Sequence, residues 1–262
     1  MRIFFVLFFL LGQLYARIPA NDAALERIAK EPQRVPFSFA VMGDNRDGEG
    51  VFEKILEKLD RSDIIFGVNN GDLVANGWAY QFKEYVGIIS KYKKPILSAI
   101  GNHEILLFFS TRSNFKKYIG KPYFSFVYAN SYFIFLDNAN KKKIKKKQLR
   151  WLKAELKKAQ SYANRFVFLH VPLYDPRKGP YKKGHSMKDL KNAKELNELF
   201  DRYGVTMLFA SHIHSYYSGV WHKTPYIITG GAGAPNERDG GFYHYIIVHV
   251  NHEGVSYELK RL

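Results

Sequence analysis

Between Phe37 and Ile100 the chain switches repeatedly between short apolar runs and stretches of helical period, and this alternation limits most strongly what it can fold into. Phe37 to Met42 reads as a strand, after which Phe52, Ile55, Leu56 and Leu59 fall on one face of a helix. A second strand is predicted over Ile64 to Val68, a helix over Trp78 to Tyr92 and a third strand over Ile96 to Ile100. Such alternation calls for parallel strands joined by crossover helices. Farther along, Tyr123 to Tyr128 and Tyr132 to Asp137 predict a hairpin. Strands at Phe166 to Leu169 and Val205 to Ala210 follow, with a helix near Asp189 to Tyr203 between them. The end changes character: Tyr226 to Thr229, Tyr243 to Val250 and Val255 to Leu259 are strands joined by glycine-rich or NHEG turns. The expectation is an α/β core with antiparallel additions.

With 262 residues, 46% of them apolar and 24% charged, the chain can bury a sizeable core and is not of the disordered class. No linker, compositional break or repeat divides it after Arg34, so one domain over residues 34–262 is expected. The start, MRIFFVLFFLLGQLYA, has a basic residue at Arg2 and an apolar run from Ile3 to Leu11 that is too short to span a bilayer. Leu14 and Ala16 fit a small-residue cleavage pattern. A signal peptide over residues 1–16 is therefore expected, cut near Ala16, with 17–33 as an N-terminal linker. The protein is then exported: periplasmic, extracellular or on the outer face of the membrane. An uncleaved anchor is the alternative. The absence of cysteine fits an exported protein that uses neither disulfides nor thiol chemistry.

Net charge is +16, and its densest block is KKKIKKKQLRWLKAELKKA from Lys141. Ile144, Trp151, Leu152 and Leu156 recur there at helical spacing, which predicts an amphipathic helix with a solvated lysine face. A nucleic-acid or anionic-membrane surface is the sharper alternative, although no aromatic-rich binding module accompanies it. In either case the field favours small anionic substrates.

The strands share one further property: each of several runs into a carboxylate, amide or imidazole. The first leads to Asp44 in GDNRD, the second to Asp72 in NNGD, and the third to Asn102 and His103 in GNHE. A later strand leads to His170 in LHVP, and another to His212 and His214 in SHIH. In open α/β sheets the carboxyl edge is where sites assemble, so these groups can converge from distant parts of the chain. Oxygen and nitrogen ligands without sulfur suit divalent first-row metals, and there are enough of them here for two ions. His212 and His214 point the same way if their segment is extended and then reach neighbouring ions. Two ions about 3.5 to 4 Å apart generate a hydroxide at neutral pH and clamp an in-line displacement, which points to hydrolysis of phosphate esters. Taken singly, a GD pair is a turn and a His after a strand is a hydrogen-bonded core or surface residue.

The series GD, GD, GNHE, H and HxH resembles the calcineurin-like metallophosphoesterase family, with the motifs in family order from about Phe37 to Val220. QLRWLKAEL after FIFLDNAN, and IITGGAGAP near the end, are similar to its extracytoplasmic or cyclic-nucleotide-phosphodiesterase-like branches. The resemblance implies an α/β/β/α four-layer sandwich of two mixed sheets, with a dinuclear site at the sheet edge. It also implies divalent or trivalent ions among manganese, iron, zinc and nickel. By the family pattern Asp72 bridges both ions, Asn102, His170 and His212 complete one, and Asp44 and His214 serve the other. His103 is then the acid that protonates the leaving oxygen, with Glu104 placed to orient it. Monoesters and diesters are both compatible with these residues.

Two positions depart from the pattern. The family's first motif is usually D-x-H, and here Arg46 stands at the His position, while Ala75 stands where some relatives carry a Tyr. A guanidinium has no free lone pair, so Arg46 cannot be a ligand, and the Asp44/His214 ion is short of one. That ion binds weakly, takes an extra water, or recruits Asn45 or Asp47. Arg46 is expected to face the substrate phosphate and pair with two of its oxygens, with a surface salt bridge to Asp47 or Glu49 as the alternative. A phosphate- or anion-binding protein with little or no catalysis, its metal site degraded at Arg46, is the competing function. The loop RKGPYKKGHS, with Arg177, Lys178, Lys182, Lys183 and His185, either lines the cleft or is a disordered solvated loop. GGAGAP is expected to be a tight passage beside the site and not a phosphate cradle.

Overall fold

The computed structural model describes residues 18–105, 112–236 and 241–262, so the leader expected over residues 1–16 lies outside the described residues. Two mixed sheets form the centre. The first has the order β11-β10-β1-β2-β3, from β1 (Phe37–Met42), β2 (Phe66–Asn69), β3 (Ile96–Ser98), β10 (His244–Val250) and β11 (Val255–Arg261). The second has the order β4-β5-β6-β7-β9-β8. Its strands are β4 (Phe124–Tyr128), β5 (Ser131–Phe135), β6 (Asn164–Phe168), β7 (Met207–Ala210), β8 (Tyr216–Trp221) and β9 (Thr224–Thr229). β1, β2 and β3 run parallel, as do β5, β6, β7 and β9, while β10, β11, β4 and β8 pair antiparallel at the margins.

The layering follows from alternation along each strand. Phe39 and Val41 of β1 turn inward, toward the second sheet, where they meet Phe133, Phe135, Phe166, Phe168 and Phe209. Ala40 and Met42 turn outward, under α2 (Glu49–Asp60) and α3 (Ala79–Ile89), which contribute Phe52, Ile55, Leu56, Phe82 and Tyr85. On the far side Ile134, Val167 and Leu208 are covered by Leu152 and Leu156 of α5 (Lys146–Lys158) and Leu196 and Phe200 of α6 (Leu190–Arg202). A strand buried on both faces must be apolar at every position, which is why these strands read as unbroken runs. Phe39 lies edge-on to Phe133 at 5.4 Å and to Phe166 at 5.1 Å. Such pairs add about 0.5–1.5 kcal/mol each beyond the area they bury.

The segment expected as a linker over 17–33 is instead part of the domain. It forms α1 (Ala20–Lys30), which buries Ala24 and Ile28 against the inter-sheet core. The reason is the exposed edge of β3. Asn21 donates to the Ser98 carbonyl at 2.9 Å and accepts from the Ser98 N–H at 2.8 Å, satisfying both backbone groups of an edge residue. Two further elements lack a clear apolar period in the sequence: α4 (Arg112–Tyr118), which buries Phe115, and β8, half of whose residues are exposed. Ile144 is buried but precedes α5, whose covered face is Gln148, Leu152, Glu155 and Leu156. Among the described residues no helix is long and apolar enough to cross a membrane.

Candidate metal centre

The carboxyl ends of β1, β2, β3, β6 and β7 open onto one place. Asp44, Asp72, Asn102, His170 and His212 are all buried there, and His214 borders it. The backbone at Asp44 (φ 59°), Asp72 (φ 55°) and His212 (φ 69°) is left-handed. This conformation costs a non-glycine residue of order 1–3 kcal/mol and persists only where its surroundings enforce it. Cross-links between the loops do so: the Asp44 N–H donates to the Gly71 carbonyl at 2.9 Å, the Arg46 N–H to the Asp72 carbonyl at 3.1 Å, and the Ser211 N–H to the His170 carbonyl at 2.8 Å. The GGAGAP strip is the tight passage expected of it. The Ala234 N–H donates to the Asp44 carbonyl at 2.7 Å, and a Cβ at Gly230 would sit 2.3 Å from the Ile213 carbonyl oxygen. At Gly101 a Cβ would fall 2.3 Å from Asp72 Oδ1, so only glycine lets the GNHE loop close on β2.

Asp72, His170 and His212 form the group of acidic and imidazole side chains, among the described residues, whose ligand atoms all lie within 4.8 Å of one another. His170 Nδ1–H donates to the Asn70 carbonyl at 3.0 Å, which leaves Nε2, 3.2 Å from Asp72 Oδ1, as the atom that a metal would take in place of a proton. His214 repeats the arrangement, with Nδ1–H on the Pro235 carbonyl at 2.8 Å and Nε2 3.4 Å from Asp44 Oδ1. Metal-binding imidazoles are held in their tautomer by such carbonyl bonds. Asn102 places one amide atom 2.8 Å from His212 Nδ1 and 3.3 Å from His170 Nε2, and the other 3.2 Å from Lys141 Nζ. An amide oxygen facing the lone pair of the neutral His212 Nδ1 is repelled unless a cation lies between them. Asp44 Oδ1 is fully buried without a hydrogen-bond partner, which again asks for a cation. The donor set thus fits a divalent metal.

Charges follow the same geometry. Burial opposes the Asp72 charge, but the His170 and His103 rings outweigh it and hold the carboxyl well below its usual range. Burial likewise works against a charged His170, yet Asp72 and Asp44 push it up to about 9. His212 moves the other way: burial, then the His170 and His185 rings, keep it neutral, as a ligand must be. SHIH is not extended as expected. It is a tight turn in which Ile213 N–H donates to the Ser211 carbonyl and Ser215 N–H to the Ile213 carbonyl, and the two rings face different carboxylates.

The remaining expected site residues fall as follows. His103 opens a short 3-10 turn over His103–Ile105. Its Nδ1–H donates to the Ala75 carbonyl at 2.7 Å and its Nε2 lies 3.8 Å from Asp72 Oδ2. Glu104 does not orient it. The Glu104 carboxylate is fully buried and accepts four backbone N–H groups, from Asp72, Leu73, Val74 and Gly101. Burial and the Asp72 charge push it up to about 8, while the His170 charge and the Gly101 and Val74 N–H groups pull the other way. Arg46 pairs with Asp47 at 2.6 Å, the salt bridge that was the alternative expected of it, and turns Nε toward Asp72 Oδ2 at 3.9 Å.

Two residues escaped the sequence reading. Ala75 acts through its carbonyl, which carries no side-chain signal. Lys141 sits in the loop before α5 beside Asn102, hidden within a run of lysines. The 175–185 loop, for which disorder was one expectation, is organised around buried Asp175. That carboxylate accepts from the Arg177 guanidinium at 2.9 and 3.0 Å and from the His185 N–H at 2.9 Å. It brings the His185 ring edge-on to His212 at 4.3 Å.

Comparison with known proteins gives a consistent result. Residues 37–216 match the family model described as calcineurin-like phosphoesterase. Purple acid phosphatase 21 of Arabidopsis thaliana is 25% identical over 232 residues, covering 79% of this chain and 52% of the relative. The chain therefore spans about half the length of that curated relative. The purple acid phosphatase PPD1 from yellow lupin (Lupinus luteus) seeds superposes with a TM-score of 0.64 at 16% identity, over 88% of this chain and 52% of that one. A dimetal phosphatase from Danio rerio gives 0.67 at 12% identity, over 88% and 97% respectively. At these identities the two structures speak for the fold.

Proposed function

We propose a hydrolytic function from one premise: the chain belongs to the calcineurin-like phosphoesterase family, whose model spans residues 37–216. The reading is that it hydrolyses phosphate esters at the centre built on Asp72. The observation that supports it is the close grouping of Asp72, His170 and His212 with Asn102, beside the His103 imidazole, whose Nε2 lies 3.8 Å from Asp72 Oδ2. Asp72, Asn102, His170 and His212 would hold one ion, and Asp44 and His214, with Asp72, offer a second group of donors. Divalent cations bound here would polarise a phosphate oxygen and acidify water so that it attacks at neutral pH.

The chain's own groups do the rest. Because the Ala75 carbonyl takes the Nδ1 proton of His103, Nε2 is the atom that faces the centre. A proton carried there is delivered to the leaving alkoxide. Lys141 and Arg46 bring positive charge to the same mouth, and the net charge of +16 draws anionic esters toward it. We place the mature protein outside the cytoplasm with its leader removed, and sequencing of its N-terminus checks the removal: a start near residue 17 is expected and an intact Met1 overturns the cleavage.

The test is turnover of a chromogenic phosphomonoester and its bis-ester with added manganese, alongside elemental analysis. Hydrolysis that EDTA and Asp72→Asn abolish is expected. Metal-loaded, folded protein that turns over neither ester overturns the reading. It would leave the second reading, an anion-binding protein, which the guanidinium of Arg46 beside Asp72, where a ligand is expected, favours.

A further inference from the structure

The two halves of the centre are not equally equipped. Around His170 and His212 the donors are complete: two imidazole nitrogens, an amide oxygen and a carboxylate oxygen. Around Asp44 and His214 they are not, among the described residues. Their neighbours Asn45, Asp47 and Ala75 are committed elsewhere. Asn45 donates to the Leu73 carbonyl at 3.0 Å and accepts from Asn69 Nδ2 at 2.7 Å. Asp47 is paired with Arg46. Ala75 has no donor in its side chain, and its carbonyl is taken by His103.

What stands there instead is the guanidinium of Arg46. Its Nε lies 3.9 Å from Asp72 Oδ2, the oxygen turned away from His170, and is buried with no hydrogen-bond partner. Its charge is also felt at His103, Lys141 and His214, which places it among the groups that frame this side of the centre. A fixed cation beside Asp72 repels a second metal there, and an unpartnered guanidinium N–H is a ready donor to a phosphate oxygen.

Resting on the phosphoesterase reading above, we infer that the chain works with one firmly held ion, on Asp72, Asn102, His170 and His212. The Arg46 guanidinium supplies beside Asp72 the positive charge that a second ion brings elsewhere. A second ion is held at least about 100-fold more weakly than the first. Arg46 then serves as a substrate-binding residue that clamps the phosphate against the single ion.

Equilibrium dialysis of the full chain against Mn2+, read by elemental analysis and electron paramagnetic resonance, tests this. One ion per chain with the spectrum of an isolated Mn2+ is expected. Arg46→His, which adds a ligand and removes a fixed charge, is expected to take up a second, exchange-coupled ion. Arg46→Gln is expected to weaken orthophosphate binding at least tenfold while keeping the first ion, whose retention also shows that the variant is folded. Two exchange-coupled ions in the native chain overturn the inference. So does an Arg46→His variant that keeps the first ion and gains no second, or an Arg46→Gln variant with undiminished orthophosphate binding. Should Arg46→His fail to fold, the native stoichiometry still decides. Two coupled ions with turnover would remove this inference alone, whereas one ion with no turnover would remove the hydrolase reading and leave the stoichiometry standing.

Discussion

Glu104→Gln separates a scaffold role from a catalytic one. In the native protein each Glu104 oxygen accepts two backbone N–H groups, tying the Asp72–Val74 segment to Gly101 in a site with no access to water. With a cation against Asp72, the neighbouring negative charge that raises Glu104 is cancelled, and four donors with no acceptor suit only the ionised form. Glutamine keeps one oxygen for two of the donors and turns its NH2 against the others. Each buried donor so stranded costs about 1–3 kcal/mol, giving a loss of about 2–6 kcal/mol for the two. In urea, with a slope of roughly 2 kcal/mol/M, the unfolding midpoint of the metal-loaded variant falls by about 1–3 M. Because the same N–H groups hold Asp72 in its left-handed turn, Mn2+ affinity should drop by about 10–100-fold. A variant with native midpoint and native Mn2+ affinity but a shifted pH–rate profile would refute this reasoning, since Glu104 would then be acting on His103.

Three other outcomes follow from particular contacts. His103→Asn should lower kcat by about 10²–10⁴-fold with metal content unchanged, measured by turnover and elemental analysis on one preparation; an undiminished kcat removes His103 as the acid. Asp175 is partly opposed by burial, but Arg177 and the His185 N–H hold its carboxyl down, from 3.8 to about 2. A depressed carboxylate stabilises the folded chain above its unfolded value and loses that contribution as pH falls. Thermal melts should therefore show Asp175→Asn less stable than native above about pH 4 and equal to it near pH 2; a gap that persists at pH 2 contradicts the assignment. Asn21→Ala should remove both hydrogen bonds to Ser98, cost about 1–3 kcal/mol, and speed amide exchange along β3; unchanged exchange would mean that α1 does not guard that edge.

Where the sequence was legible, a single physical demand acted at one position. Phe39, Phe133 and Phe166 lie on strands that must be apolar on both faces, so the runs that contain them are visible without a structure. Asp72, Asn102, His170 and His212 were visible for the opposite reason: a buried polar group directly after such a run needs a compensating partner. The rest depends on how loops meet. Nothing in the residue type of Ala75, Asn70 or Pro235 announces that its carbonyl will receive an imidazole proton, yet these three oxygens set the tautomers of His103, His170 and His214. Glu104 was misread for a related reason. Adjacency to His103 suggested a side-chain partner, whereas the 3-10 turn at His103–Ile105 sends the two side chains apart, one toward the centre and the other beneath the Asp72 loop. Lys141 was masked by its own neighbours, because a solvated lysine face explains a run of lysines equally well whether or not one of them turns inward. Arg46 lies between these cases. Its residue type excluded it from ligation, but only the commitments of Asn45 and Asp47 to other partners show that neither of these side chains takes the vacated role.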